Sequence, residues 1–349
     1  MVIVTGALGF IGSNLLFRLE TEGYDRIVAI DWFGKEEKWK NVAKRAHVNY
    51  ISPQNTLSFL YSHSKDIKAI VHLGAISSTV ETDGDLIMAT NYEMSISLYE
   101  FAKENKIQFI YASSAATYGD GEKGFEDNET VEYLSSLRPL NLYGWSKNQF
   151  DLFVARNNGF VEGTQTVALK FFNVYGPNEY HKGSQKSVIN GFYEQALATD
   201  EIKLFKSNDD NIKDGNQSRD FVFVDDCINV ILWFLSNPDV SGIFNVGTGI
   251  STSFNEVAKA ITNQINHDVM ISYVSMPETI NQHYQNYTCA NISKLRAVGF
   301  KESMTPIVDG VSIYINEFLT KQEYIFLKNI SCNIYLKMIK FRSKIKGGI

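Results

Sequence analysis

Val2-Ile3-Val4-Thr5-Gly6-Ala7-Leu8-Gly9-Phe10-Ile11-Gly12-Ser13-Asn14 is the stretch that decides the fold. Val2-Ile3-Val4 is a short β-branched run of the kind that makes a strand buried on both faces. Leu15, Leu16 and Leu19 then recur at helical spacing. Glycines 6, 9 and 12, lying between a strand and a helix, fit a loop that carries a dinucleotide. Gly6 permits the tight turn, Gly9 lets the backbone approach a pyrophosphate, and Gly12 lets the helix pack closely on the strand. The helix start at Phe10 and Ile11 supplies unpaired N–H groups and a positive dipole end for phosphates. A second strand, Arg26-Ile27-Val28-Ala29-Ile30, ends at Asp31, placed where an acid reads a ribose hydroxyl. Strand, glycine turn, helix, strand and acid together predict an α/β chain built on a doubly wound parallel sheet.

Working outward, Ile70-Val71-His72-Leu73-Gly74-Ala75 reads as a fourth strand whose glycine–alanine end lies over the cofactor. His72 reads as a packed strand-end residue. Asn91 opens a helical pattern, and Phe109–Ser114 is a fifth strand that runs into Ala115-Ala116-Thr117-Tyr118-Gly119. After a Pro139-Leu140-Asn141 turn comes Tyr143-Gly144-Trp145-Ser146-Lys147, with Phe150, Asp151 and Val154 continuing a helix. A Tyr and a Lys four apart lie on one helix face. A free phenol has a pKa of about 10, and a nearby ammonium favours the phenolate and draws it toward the range useful for acid–base catalysis. By itself the pair reads more readily as a helix start with a half-buried Tyr and a solvated Lys; its company decides otherwise.

Val167–Phe172 is a strand delivering Asn173-Val174-Tyr175-Gly176-Pro177, after which the chain leaves the sheet. A second lobe begins with His181-Lys182-Gly183-Ser184 and includes a short strand at Lys203-Leu204-Phe205. Residues Ser207 to Ser218 have loop chemistry. Arg219–Asp226 returns to the sheet region and starts a helix through Leu235, and Gly242–Gly249 is a strand and turn. Ser253 and Glu256 form a capping box for a helix through Ile265, and a last helix falls between Thr305 and Leu319. The lobes interleave: 1–172 and 220–252 bind the dinucleotide, 173–219 and 253–320 bind substrate, and 321–349 is a basic extension.

Over 349 residues, 44% hydrophobic and 21% charged residues describe an ordinary globular chain, and a net charge of −6 gives no reason to expect nucleic-acid binding. Cys227, Cys289 and Cys332 are scattered without C-x-x-C spacing, which argues against a disulfide framework or a zinc site. A strand starting at Met1 leaves no room for a signal peptide, and no apolar run reaches the roughly 18 residues of a transmembrane segment. The expectation is a cytoplasmic protein. Lys321 to Ile349 carries seven basic residues against one acid, with Ile330, Ile334, Met338, Phe341 and Ile345 three or four apart. This pattern allows a basic amphipathic helix with weak affinity for a membrane surface; docking on the acidic body or a frayed tail are the plainer readings.

The G-x-x-G-x-x-G spacing resembles the extended branch of the short-chain dehydrogenase/reductase superfamily, the NAD-dependent epimerase/dehydratase family, with its Rossmann-type sheet and smaller interleaved α/β substrate-binding lobe. Within that branch the chain is similar to the ADP-glycero-manno-heptose 6-epimerases over about residues 1–319. Gly74–Thr79, Tyr111–Gly119, Phe171–Pro177, His181–Ser184 and Trp233-Phe234-Leu235 carry the likeness. Dehydratases of the branch have an Asp-Glu pair where this chain has Ala115 and Ala116, which disfavours dehydration.

The resemblance implies an isomerase that inverts C6 of ADP-D-glycero-D-manno-heptose, a precursor of the lipopolysaccharide inner core. The C6 hydrogen would leave to bound NADP, giving a 6-ketone, and return to the opposite face; the cofactor carries the hard step and the protein supplies position and acid–base groups. Tyr143 and Lys182 would be those two groups, Ser114 would hold the substrate oxygen, and Lys147 would hold the ribose and lower the Tyr143 pKa. Implied cofactor contacts are Gly6, Gly9, Phe10, Ile11, Gly12, Asp31, Trp32, Lys38, Leu73, Gly74, Ala75, Ile76, Ser77, Asn91, Tyr143, Lys147, Val174 and Lys182. Implied substrate contacts are Ser114, Asn173, Ser184, Phe205, Ser207, Arg219 and Tyr284; Arg219 suits a diphosphate, although it reads equally as an ion-pair partner of Asp220 or Asp225. Asp31 alone favours NAD, but Lys35, Lys38 and Lys40 follow, and Lys38 falls where these epimerases place a phosphate-binding lysine. NADP is therefore expected, NAD being the runner-up, one tightly bound per subunit of a homopentamer. A UDP-hexose 4-epimerase and a non-catalytic NAD(P)-binding regulator are the alternatives. Trp32, Gly191 and the long 207–218 loop depart from the family pattern.

Overall fold

A computed structural model describes residues 1–34, 37–278 and 284–325. Lys35 and the apolar stripe from Ile330 to Ile345 lie outside the described residues. Thirteen strands follow in chain order: β1 (Val2–Thr5), β2 (Ile27–Ile30), β3 (Val48–Ile51), β4 (Ala69–His72), β5 (Gln108–Ser114), β6 (Thr166–Phe171), β7 (Asn173–Tyr175), β8 (Glu201–Phe205), β9 (Ser218–Arg219), β10 (Phe221–Phe223), β11 (Gly242–Val246), β12 (Thr252–Ser253) and β13 (Met270–Val274). Seven of them form one parallel sheet in the order β11-β6-β5-β4-β1-β2-β3.

The strands β1, β2, β4, β6 and β11 are buried end to end, as sequences covered on both faces must be. Alternate side chains divide between two cores. Val4, Val71, Ile110 and Leu169 pack with Leu15, Leu16 and Leu19 on one side. Ile3, Ile70, Phe109 and Ala168 pack with Leu98, Phe101 and Phe150 on the other. The chain reverses its direction of travel between β1 and β4, so a crevice opens beyond their carboxyl ends, where such sheets bind ligands. The turns after β1, β4 and β5 all emerge on that edge.

A third core gathers Tyr175, Ile189, Phe192, Leu204, Phe221, Val257, Ile261, Val311 and Tyr314. Around it stand the helices Val188–Thr199, Phe254–Thr262 and Ile307–Tyr314 and the parallel pair β8–β13. The expected capping box is present, with Ser253 and Glu256 each accepting from the other's backbone, but the helix it starts ends at Thr262, three residues before Ile265. Asn91 corrects another expectation. It does not open a helix: an Asp83 cap starts the helical run at Gly84, and Asn91 lies in the π-helical stretch Met88–Glu93 that joins two α-helical segments. Such widened turns re-aim side chains and recur at functional sites.

Candidate active site

The loop after β1 is built by contacts that exclude side chains. Gly6 has φ +63°, and a methyl group there would lie 2.6 Å from the Gly74 nitrogen, so the loops after β1 and β4 touch. At Gly12 a methyl would lie 2.2 Å from the Gly6 carbonyl oxygen. Gly9 is different: a methyl would meet only that oxygen, at 3.1 Å, and its outer face is open. The helix Phe10–Thr21 begins at Gly9 with no side-chain cap and no acid in its first turn. Its free N–H groups are thus presented to an anion. Backbone bared at Gly9 over an uncapped helix start fits the pyrophosphate of a dinucleotide.

Asp31 does not stand free at the end of β2. One carboxylate oxygen accepts from Leu8 N–H at 2.8 Å, and the other accepts from Trp32 N–H at 2.7 Å and from Lys38 Nζ at 2.6 Å. The acid braces the glycine loop and its charge is offset by Lys38. Trp32 is 56% exposed. In the loop after β4, Leu73 N–H bonds to the Thr5 carbonyl and Gly74 N–H to Thr5 Oγ1. Asn91 holds Ile76 through both its backbone groups and donates to Ser146 Oγ, which in turn donates to the Tyr143 carbonyl. The Asn91 amide is therefore committed to fixing the loop and the helix that bears Tyr143; Ala75 lines the same loop and Ser77 is exposed. His72 is a packed strand-end residue, bonded to Thr5 Oγ1 and Ser95 Oγ, and burial, with the Lys147 charge beside it, pushes its pKa down to about 3.

Asn141 caps the helix Leu142–Arg156 through Gly144 N–H. A methyl at Gly144 would come within 2.5 Å of the Ala116 carbonyl, so this helix start sits directly on the turn that follows Ser114. Tyr143 and Ser114 meet there. Burial raises the Tyr143 pKa, and the Ser114 hydroxyl bonded to the phenol works the other way. This corrects the expectation that Lys147 would draw the phenol down: desolvation outweighs any such pull. Lys147 is itself only 2% exposed, and burial lowers its pKa to about 8 against the opposing charge of Asp151. Its ammonium has no hydrogen-bond or ion-pair partner among the described residues.

Lys182 lies in the short helical segment Tyr180–Gln185 after β7. Asn14 Nδ2 donates to the Pro177 carbonyl, Asn178 Nδ2 to Ser13 Oγ, and Asn41 Nδ2 to the Leu8 and Asn178 carbonyls. These bonds tie the segment after β7 to the glycine loop and set Lys182 Nζ 5.5 Å from the centre of the Phe10 ring. Burial lowers the Lys182 pKa and Glu179 opposes it. Neighbouring His181, buried near Lys38 and Lys182, is pushed down to about 4. Asn173 and Ser184 are exposed and Val174 half-buried at the same edge.

Arg219, Phe205 and Tyr284 form one cluster. The guanidinium carbon lies 5.2 Å from the Tyr284 ring centre and 5.7 Å from that of Phe254, and Phe205 meets Tyr284 edge-on. Burial lowers the Arg219 pKa. Arg219 has no carboxylate partner among the described residues: Asp220 is taken by Thr248, Gly249 and Ala290, and Asp225 pairs with Arg18. A half-buried guanidinium between aromatic rings, donating to the Ser218 carbonyl and without a carboxylate among the described residues, fits a phosphate and a planar base. The Ser207 hydroxyl, by contrast, is engaged within its own loop by the Asp209 backbone, and Gly191 faces open space.

Asp151, Lys170, Thr117, Asn41 and Phe254 shape this site without having been singled out by sequence reasoning. Asp151 had a signal, since it follows Lys147 by one further helical turn. Among the described residues no His, Cys, Asp and Glu cluster could hold a metal ion, and no helix is long and apolar enough to cross a membrane.

The sequence profile of the NAD dependent epimerase/dehydratase family matches residues 2–247. An ADP-L-glycero-D-manno-heptose-6-epimerase of Nitratidesulfovibrio vulgaris Hildenborough is 43% identical over 322 residues, covering 91% of this chain and 98% of that protein. One from Fusobacterium nucleatum is 39% identical over 331 residues, covering 93% and 99%. The crystal structure of the Helicobacter pylori ADP-L-glycero-D-manno-heptose-6-epimerase is similar with a TM-score of 0.75 at 28% identity, covering 90% of this chain and 94% of that one. A UDP-N-acetylglucosamine 4-epimerase from Methanobrevibacter ruminantium, at 23% identity and a TM-score of 0.76 over 92% and 98% of the two chains, shares the fold.

Proposed function

Since the chain belongs to the NAD dependent epimerase/dehydratase family, we propose that it is an isomerase converting ADP-D-glycero-D-manno-heptose to ADP-L-glycero-D-manno-heptose by inversion at C6. The product serves as a precursor of the lipopolysaccharide inner core. Two contacts support the mechanism: Tyr143 bonds to Ser114 in the turn after β5, and Lys182 Nζ lies 5.5 Å from the ring centre of Phe10 at the start of the glycine-loop helix. The loop of Gly6, Gly9 and Gly12, with Asp31 and Lys38 beside it, would hold a nicotinamide cofactor, which would supply the reversible hydride transfer needed at C6.

The chain's own groups do the rest. Tyr143 exchanges the O6 proton for one configuration and Lys182 for the other, so that each face of the carbonyl meets an acid–base group. Ser114 holds the oxygen. Lys147, buried without a hydrogen-bond or ion-pair partner among the described residues, holds the ribose. Arg219 and Tyr284, with Phe205, Asn173 and Ser184, receive the nucleotide diphosphate. Residues 1–172 and 220–252 thus serve the cofactor, and 173–219 and 253–320 the substrate.

NADP is the preferred cofactor, because Lys38 offsets the Asp31 charge that would repel a 2′-phosphate. The enzyme works in the cytoplasm as a homopentamer. A UDP-hexose 4-epimerase is disfavoured by the relatives, and a non-catalytic regulator would need none of Tyr143, Lys147 and Ser114. The test is incubation with ADP-D-glycero-D-manno-heptose followed by NMR that resolves the C6 epimers. Full recovery of the starting epimer would overturn the reading.

A further inference from the structure

Behind the Tyr143–Ser114 contact lies a charge pair that the mechanism does not use. Asp151 and Lys170 are both fully buried, and their side chains meet at 2.7 Å. Asp151 stands on the helix Leu142–Arg156 one turn beyond Lys147 and two beyond Tyr143, on the same face. One of its oxygens accepts from Tyr111 OH at 2.9 Å, and the other from Ser113 Oγ at 2.7 Å as well as from Lys170. Lys170, on β6, also donates to Thr117 Oγ1 at 2.7 Å, and Thr117 Oγ1 donates to the Ser114 carbonyl at 2.8 Å. Ser114 is therefore gripped on both sides, through Ser113 before it and Thr117 after it, by one ion pair anchored on the Tyr143 helix.

We propose that Asp151 and Lys170 are positioning residues for the epimerase reaction: their pair clamps the Ser113–Thr117 turn to the helix bearing Tyr143 and Lys147, and so sets the Ser114 hydroxyl against the phenol. Stability alone is a poor reason to keep such a pair, because well-packed apolar residues often replace a buried ion pair at no cost. A second role follows from position. The groups facing Lys147 are Tyr143 and Asp151 from its own helix and His72 from β4, with Lys170 behind Asp151 on β6. His72 is neutral at working pH, so Asp151 is the anion that helps Lys147 keep its proton.

The proposal rests on the roles given above to Tyr143, Lys147 and Ser114, and its test separates the two. In the full-length holoenzyme, Asp151→Asn/Lys170→Met removes both charges together and leaves none unpaired. Bound nucleotide and the KM for ADP-D-glycero-D-manno-heptose should stay within about threefold of wild type, while kcat falls at least about tenfold. The high-pH limb of kcat should move to lower pH. Thr117→Val, nearly isosteric, removes the hydroxyl that joins Lys170 to the Ser114 carbonyl while leaving the Asp151–Lys170 pair in place; it should lower kcat with KM unchanged, whereas Lys170→Arg should keep most of the wild-type rate. Acetylation of Lys147 by acetic anhydride, followed on its peptide by mass spectrometry, needs no substrate; its pH midpoint should fall in the double variant. Wild-type kcat in both the double variant and Thr117→Val, or an unmoved acetylation midpoint, would overturn the proposal. An inactive wild-type enzyme would instead count against the function, with the acetylation midpoint still deciding the proposal.

Discussion

Gly9 and Gly12 look alike in the sequence, and the structure expects them to fail differently. A methyl at Gly12 would sit 2.2 Å from the Gly6 carbonyl oxygen, where ordinary contact needs about 3.5 Å. Either that carbonyl moves by more than an ångström or the helix start shifts. The same carbonyl accepts the Gly9 N–H at 3.0 Å, so moving it undoes the turn. Overpacking of this kind costs about 1–3 kcal/mol, which for a chain of this size lowers Tm by roughly 1–4 °C. Gly12→Ala should therefore lose stability and nucleotide together. At Gly9 the backbone is ordinary, with φ −71°, and a methyl meets only one atom at 3.1 Å. Gly9→Ala should keep the Tm of the nucleotide-free protein to within about 1–2 °C while losing most of its nucleotide, because the methyl occupies the face the pyrophosphate must approach. Calorimetry of stripped protein and quantitation of the nucleotide released on denaturation are the two assays. A Gly12→Ala protein with native Tm and a full complement of nucleotide would refute the packing argument; an unfolded Gly9→Ala protein would refute the distinction between the two.

Tyr143→Phe and Lys182→Met should each lower turnover by about 10²–10⁴-fold with nucleotide still bound, and near-full activity in Lys182→Met would sink the two-sided scheme. Lys38→Ala leaves the Asp31 charge unopposed, so mass spectrometry of released nucleotide should show NADP giving way to NAD; an unchanged NADP content would mean Lys38 does not read the phosphate. Burial holds His72 near 3 and His181 near 4, below the ordinary 6.5. The unfolded chain then binds more protons in that window, so stability is present above pH 6.5 and declines as pH falls toward these values. Thermal unfolding from pH 7 to 4.5 should show a shallower decline in His72→Asn than in wild type, and parallel curves would contradict the assignment. In deuterated water the product should carry no label at C6, and substrate deuterated at C6 should keep it; solvent label at C6 would mean proton abstraction instead.

The sheet was legible because its determinants are local. Val2–Gly12, Ile27–Asp31 and Ile70–Ala75 each combine a buried apolar run with the residue its turn demands, and no long-range information is needed to read them. The β8–β13 pair was half legible. Met270–Val274 has a mixed exposure pattern, and pairing with its parallel partner Glu201–Phe205 makes it a strand. Asn91 misled for a related reason. The helical run already begins at Gly84 behind the Asp83 cap, and the widened turn that aims the Asn91 amide at Ile76 is set by a contact fifteen residues away.

Charge states escaped the sequence more thoroughly than positions did. The four-residue spacing rightly put Tyr143 and Lys147 on one helix face, but the inference that the ammonium would lower the phenol treated both groups as solvated. In the protein both are desolvated, and each is driven toward its neutral form: the phenol up, the amine down. Which effect wins depends on what surrounds them, and that is set by chain segments far apart in sequence. Lys170 shows the point. Within Val167-Ala168-Leu169-Lys170, alternation places the lysine on the side of Ala168, which packs with Phe150 and Val154. Nothing local says that Asp151 will be the residue met there. That follows only when β6 lies beside β5, bringing Tyr111, Ser113 and Thr117 around the same carboxylate and amine. The acid–base residues can be read from a motif. The electrostatic setting that tunes them is a property of strand order.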